Sequence, residues 1–109
     1  MKHFNRLSPA EAERLALLGE EMGEAQQAIG KILRHGYESR HPGGGPTNRE
    51  SLEEELGHVR FSIYMMGKAH DVSFTSMLAH KANKAESVKK YLHHQTQEKE
   101  ASSVPPKEW

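Results

Sequence analysis

The chain contains no cysteine. Disulfides and thiolate metal sites are therefore excluded, and the composition fits a reducing compartment. Aromatic residues make up 6% and apolar residues 35% of the sequence, a lean supply for a core. No run of about 18 apolar residues occurs, so no membrane span is expected. Charge of one sign is also missing: 15 Lys and Arg balance 15 Asp and Glu. No net field argues for nucleic acid or for an anionic membrane. The opening residues, Met1 to Arg6, lack the apolar stretch of a secretory signal. The expected location is the cytoplasm.

A chain of 109 residues is long enough for one domain and not two. Small domains hide a smaller fraction of their surface. With so lean a core, the apolar faces are expected to be shared between subunits.

What the sequence does have is helical periodicity. Ser8-Pro9 opens the first helix, with Ser8 as N-cap, Pro9 at the first position and Glu11 completing a capping box. The apolar seam runs Leu15, Leu18, Met22, Ala25, Ile29, Ile32, in alternating threes and fours. Gly36 is the expected stop. Residues 36–48 hold Gly36, Pro42, Gly43, Gly44, Gly45 and Pro46 and read as a mobile loop. Thr47 or Asn48 caps a second helix with the seam Leu52, Leu56, Val59, Ile63, Met66. Asp71 or Ser73 starts a third helix, through about Leu92. The fold class is all-α: an antiparallel helical bundle, a hairpin plus a third helix, completed by oligomerisation. Residues 1–94 form the domain. Residues 95–109 form a polar tail with little to bury.

One six-residue pattern occurs twice. Residues 20–25 read Glu-Glu-Met-Gly-Glu-Ala and residues 54–59 read Glu-Glu-Leu-Gly-His-Val. Glu21 and Glu24 are three apart, as are Glu55 and His58, and so each pair shares a helix face. Each of the four immediately precedes a seam residue, which puts all of them on the shoulder of the buried stripe. Gly23 and Gly57 stand at matched places. A glycine inside a helix costs about 1 kcal/mol relative to alanine, which points to a close backbone approach or room for a ligand. Two such helices packed together would converge four ligands, as helical bundles do when they hold divalent metals. Clustered carboxylates repel one another and resist burial, and a cation removes the conflict. Oxygen ligands suit Mg²⁺ or Mn²⁺.

These residues resemble the MazG-like all-alpha nucleoside-triphosphate pyrophosphohydrolases over about residues 10–92. The family pattern is Glu-Glu-x-x-Glu on one helix, Glu-x-x-Asp on the next and a basic segment on a third. Glu20-Glu21-Met22-Gly23-Glu24 matches the first, Glu55-Leu56-Gly57-His58 the second, and Lys81-Ala82-Asn83-Lys84 the third. The resemblance implies Mg²⁺-dependent hydrolysis of a (d)NTP to monophosphate and pyrophosphate by a homodimer or homotetramer. It makes Glu21, Glu24 and Glu55 metal ligands. Glu20 becomes an outer carboxylate or the base for the attacking water. Lys81 and Lys84 neutralise phosphate charge, with Asn83 as a hydrogen-bond donor. Phe61 and Tyr64 are expected to pack in the core or a subunit interface, with a base pocket as the other use.

The departure is His58, where the family has Asp. Three outcomes stand open. His58 ligates the metal and biases the site toward Mn²⁺, Zn²⁺ or Fe²⁺. It turns away and leaves a weaker three-carboxylate site. Or it is cationic and pairs with Glu21, Glu54 or Glu55 in place of a metal. The competing functions are a helical nucleotide-binding module without catalysis and, because Glu-x-x-His marks di-iron bundles, a di-metal carboxylate/His protein.

Overall fold

A computed structural model of the chain describes residues 4–95. They form three α-helices and a short 3₁₀ turn: α1 Pro9–His35, α2 Asn48–Lys68, α3 Phe74–Ser87 and the turn Val88–Lys90. The helices fall into two units, Met1–Ser73 with α1 and α2, and Phe74–Trp109 with α3. The tail proposed for 95–109 lies, after residue 95, outside the described residues. No helix among the described residues is long and apolar enough to cross a membrane.

Both long helices begin with reciprocal caps. Ser8 Oγ accepts the Glu11 N–H at 3.1 Å, and Glu11 Oε1 accepts the Ser8 N–H at 2.7 Å. Thr47 and Glu50 repeat the device at 3.1 and 2.8 Å. Each cap satisfies two donors that a helix start leaves bare. α1 stops at Gly36, whose φ of 89° suits a residue without Cβ. α2 ends in a Schellman turn: the Asp71 N–H reaches Met66 O and the His70 N–H reaches Gly67 O. His70 takes the left-handed position, φ 65°, usually filled by glycine.

The connection between α1 and α2 is tied down by its own hydrogen bonds. Asn48 N–H donates to Ser39 O and Arg49 N–H to Tyr37 O, at 2.8 and 2.9 Å. The Arg49 guanidinium lies 4.3 Å from the centre of the Tyr37 ring and 2.7 Å from Glu38. Gly44 and Gly45 adopt φ of 101° and 105°, which the tight reversal before Thr47 requires.

α1 packs on α2 as a hairpin. Among the described residues the fully buried apolar ones are few, two alanines and one methionine: Ala25, Ala28 and Met66. This corrects the expected α1 seam. Leu18, Ala25 and Ile32 do turn inward, but Leu15, Met22 and Ile29 remain 44, 54 and 46% exposed. The stripe facing α2 is rotated toward Ala28, Glu21 and Arg14, all buried or partly buried. Phe61 and Tyr64 are more than half exposed, so neither belongs to the hairpin's core. α3 ends at Ser87, short of the expected Leu92.

Arg14 and Asp71 close the open end of the hairpin. Two hydrogen bonds of 2.6 and 3.0 Å make the pair bidentate, and the side chains are only 20 and 12% exposed. Asp71, expected as a possible cap for the third helix, serves here instead. Its carboxyl is held below the usual carboxylate range, first by the hydrogen bond from Arg14.

Candidate metal centre

The two matched motifs meet. Glu21 lies between Leu18 and Ala25 on one face of α1, and Glu55 between Leu52 and Val59 on α2. Packing these faces brings one ligand atom each from Glu21, Glu24, Glu55 and His58 within 4.8 Å of one another. Glu21 and Glu55 stand inside the packed stripe rather than on its shoulder, with side chains 13 and 20% exposed, whereas His58 is 49% exposed.

His58 turns toward the carboxylates. Its Nδ1 is 3.1 Å from Glu55 Oε1 and 3.1 Å from Glu21 Oε2. One Nδ1–H serves one acceptor well, and the hydrogen bond goes to Glu55. Glu21 Oε2 is close to the ring but outside hydrogen-bonding geometry, and is buried with no hydrogen-bond partner. An orphaned buried carboxylate oxygen is costly. Bonding to Glu55 raises the His58 pKa above 6.5; burial opposes the shift, and the charges of Glu21, Glu55 and Glu54 reinforce it. Glu24 is also raised, chiefly by the negative charge of Glu55 and then by a hydrogen bond to it. The cluster thus carries three carboxylates, one of them resisting ionisation and one lacking a donor. This donor set fits a divalent cation, which would meet the orphaned oxygen and relieve the repulsion.

Glu20 is exposed and lies outside this set of four, although its charge contributes to raising Glu24. Lys81, Asn83 and Lys84 are exposed residues of α3, in the second unit, whereas all four cluster members belong to the first. A Cβ on Gly23 or Gly57 would meet nothing within 4 Å, so no close approach among the described residues accounts for either glycine. An open groove on α1, lined by Gly23, Gln26, Gln27, Gly30, Lys31 and Arg34, shares no residue with the cluster.

One neighbour of the site escaped the sequence reading. Ser62 is the most deeply buried side chain among the described residues, 2% exposed, and its hydroxyl donates to His58 O at 3.1 Å. It occurs seven residues after Glu55, on the same helix face, and that phase was the available signal. The Arg14–Asp71 pair had none, since 57 residues separate the partners.

No family model, curated protein or solved structure matches the chain. The MazG-like resemblance therefore rests on the motif residues alone.

Proposed function

We propose that the protein is a metal-dependent nucleoside-triphosphate pyrophosphohydrolase of the MazG-like kind, working as a homodimer or homotetramer. The observation that carries this reading is the meeting of Glu21, Glu24, Glu55 and His58 between two helices. Glu21, Glu24 and Glu55 would hold Mg²⁺ or Mn²⁺, with His58 as the fourth donor. A bound divalent ion supplies charge neutralisation at a polyphosphate and acidifies its water. Glu20, next to Glu21 in sequence and exposed, would accept a proton from the attacking water. Attack at the α-phosphorus breaks its bond to the bridging oxygen and releases pyrophosphate. By the same resemblance, Lys81 and Lys84 would balance phosphate charge and Asn83 would donate a hydrogen bond. Such a reaction asks for positioning and electrostatics more than for covalent help.

A second reading is favoured by one contact. His58 already sits against Glu21 and Glu55, where a cation would neutralise them. A protonated His58 there would make the chain a helical nucleotide-binding module without catalysis.

The test is pyrophosphate release from a panel of (d)NTPs with Mg²⁺ and, separately, Mn²⁺. Wild-type turnover that vanishes in Glu21→Ala supports the enzyme. Silence in wild type with activity in His58→Asp supports the disabled module. Silence in both rules out pyrophosphohydrolysis for this chain.

A further inference from the structure

The groove on α1 carries a chemistry that the metal centre does not use. Its lining is Gly23, Gln26, Gln27, Gly30, Lys31 and Arg34, around a space of about 640 Å³. Each of the four side chains brings hydrogen-bond donors, two are cationic and none is acidic. No apolar side chain lines the groove, so an apolar ligand would gain little by entering it. From Ala25 to Tyr37 the sequence holds no Asp or Glu. Among the described residues neither Lys31 nor Arg34 pairs with a carboxylate. The helix dipole favours a cation in the last turn, which accounts for Arg34. It does not account for Lys31, which precedes that turn, or for the glycines. Gly23 and Gly30 stand seven apart, nearly two full turns, and so share the groove's floor. Each costs about 1 kcal/mol against alanine. What they leave is space. A Cβ on Gly23 would meet nothing within 4 Å, and one on Gly30 would meet only the end of the Arg34 side chain, at 3.4 Å.

We infer that this groove binds a linear phosphate chain running along α1 from the metal centre, with Lys31 and Arg34 as its cationic contacts. The inference rests on the metal-centre reading. Gly23, in the groove, is the sequence neighbour of Glu24, in the cluster. Lys31 comes seven residues after Glu24, hence on nearly the same face and about 10.5 Å farther along the helix. Cluster and groove therefore lie end to end on one helix, within one unit. Lys81 and Lys84 belong to the other unit. A divalent ion such as Mg²⁺ keeps part of its shell for substrate phosphates. A chain fixed at one end by the metal then meets Gln27 and Lys31, and next Arg34. Arg offers a planar fork that suits phosphate oxygens, and Lys a mobile point charge. The glutamine amides add neutral donors. A single carboxylate ligand would need one such cation. Two in succession, beyond an acidic metal site, match a ligand whose negative charge repeats along its length, which is a polyphosphate.

Two probes are titrated into the full chain by calorimetry, each with equimolar Mn²⁺: inorganic triphosphate and a hydrolysis-resistant α,β-methylene deoxynucleoside triphosphate. Both should bind, and the tighter of the two names the source of the phosphate chain. Lys31→Ala/Arg34→Ala should weaken binding at least about tenfold. It should keep the rise in melting temperature caused by Mn²⁺, since neither residue belongs to the cluster. Removing equal charge elsewhere, with Lys68→Ala/Lys90→Ala, should change affinity less than about twofold, because distant exposed charges are screened. Gly30→Leu fills the floor of the groove. It should raise the urea midpoint yet weaken triphosphate binding, a divergence that a purely structural glycine would not show. Omitting Mn²⁺ should lower affinity. A wild type that binds neither probe overturns the inference, as does a double variant that binds like wild type or a charge control that falls equally. Full-strength binding by Gly30→Leu, or affinity independent of Mn²⁺, overturns it too. Triphosphate binding without turnover of any (d)NTP sinks the hydrolase reading and leaves the groove standing. Turnover with unchanged KM in Lys31→Ala/Arg34→Ala does the reverse.

Discussion

Divalent metal should raise the thermal stability of this protein strongly. A ligand that binds only the folded state stabilises it by about 2.7 kcal/mol at a hundred times its dissociation constant. For a domain of this size about 1 kcal/mol moves the melting temperature by roughly 4–8 °C. Saturating Mn²⁺ should therefore shift the midpoint by about 10–20 °C. The structure locates the source of the gain. Metal binding would engage the orphaned Glu21 Oε2 and remove the conflict between Glu24 and Glu55. The assay is a circular-dichroism melt at fixed protein concentration, with chelator, with Mg²⁺ and with Mn²⁺. Glu21→Gln keeps the shape and removes the charge, and should abolish most of the shift. A wild-type midpoint that does not move in millimolar Mn²⁺ refutes the metal centre. So does an equal shift in Glu21→Gln, because the cation would then be binding elsewhere.

Three smaller predictions accompany it. Gly57→Ala should stabilise the metal-free protein by about 1 kcal/mol, because alanine is the better helix former and its Cβ meets nothing within 4 Å; a lower midpoint in urea would show that something occupies that space. Thr47→Ala should cost about 1 kcal/mol in the same titration, since it deletes half of a capping box; an unchanged midpoint would make the cap dispensable. Metal-free stability should peak at mildly acidic pH. The folded-state pKa of His58 is raised, so its contribution is complete below the unfolded value near 6.5 and is lost as pH rises through the folded value. Glu24, also raised, acts in the same direction: its strained ionisation lowers stability as pH climbs from its ordinary value to its folded one. Asp71 is lowered, so its contribution is present above the unfolded value and is lost as pH falls through the folded one. Urea midpoints from pH 3 to 9 check the profile, and His58→Gln should flatten its alkaline limb.

Local chemistry made much of the fold legible. Ser8, Glu11, Thr47 and Gly36 act through neighbours a few residues away, so their roles can be read from spacing. The matched Glu-Glu-x-Gly pattern disclosed the cluster for a related reason. Helix phase fixes which residues share a face, and the packing of α1 on α2 brings the two faces together. What escaped was the rotation of α1 about its own axis. An even ladder of Leu15, Leu18, Met22, Ala25, Ile29 and Ile32 is wide enough to serve two partners, and sequence does not say which half faces α2. The structure assigns Leu18, Ala25 and Ile32 to α2 and leaves Leu15, Met22 and Ile29 outside. Small residues at Ala25 and Ala28 make that choice possible, and it carries Glu21 into the packed stripe. The Arg14–Asp71 pair was invisible because ion pairing across 57 residues leaves no periodic trace.

That rotation also bears on why histidine can stand in the second motif. With Glu21 drawn inward, three carboxylates crowd a partly desolvated space, and without a counter-charge the hairpin would pay for their mutual repulsion. Aspartate at position 58 would add a fourth negative charge and make the metal-free fold depend on a cation. A histidine there, when protonated, would instead bring a positive charge to Glu55 and, by proximity, to Glu21. The same Nδ1 must lose its proton before it can ligate metal. Proton and metal therefore compete for one atom, and the two effects run oppositely with pH. As pH rises through the raised His58 pKa, the metal-free fold weakens while metal affinity grows. In His58→Asp that coupling should be absent: Mg²⁺ should stabilise the variant more than wild type, and the shift should depend less on pH between about 6 and 8 than in wild type, since the imidazole is gone and carboxylates of ordinary pKa do not titrate there, which leaves only the raised Glu24. A variant that keeps the wild-type pH dependence of its metal shift would show that His58 is a bystander, and that the three carboxylates alone set the affinity.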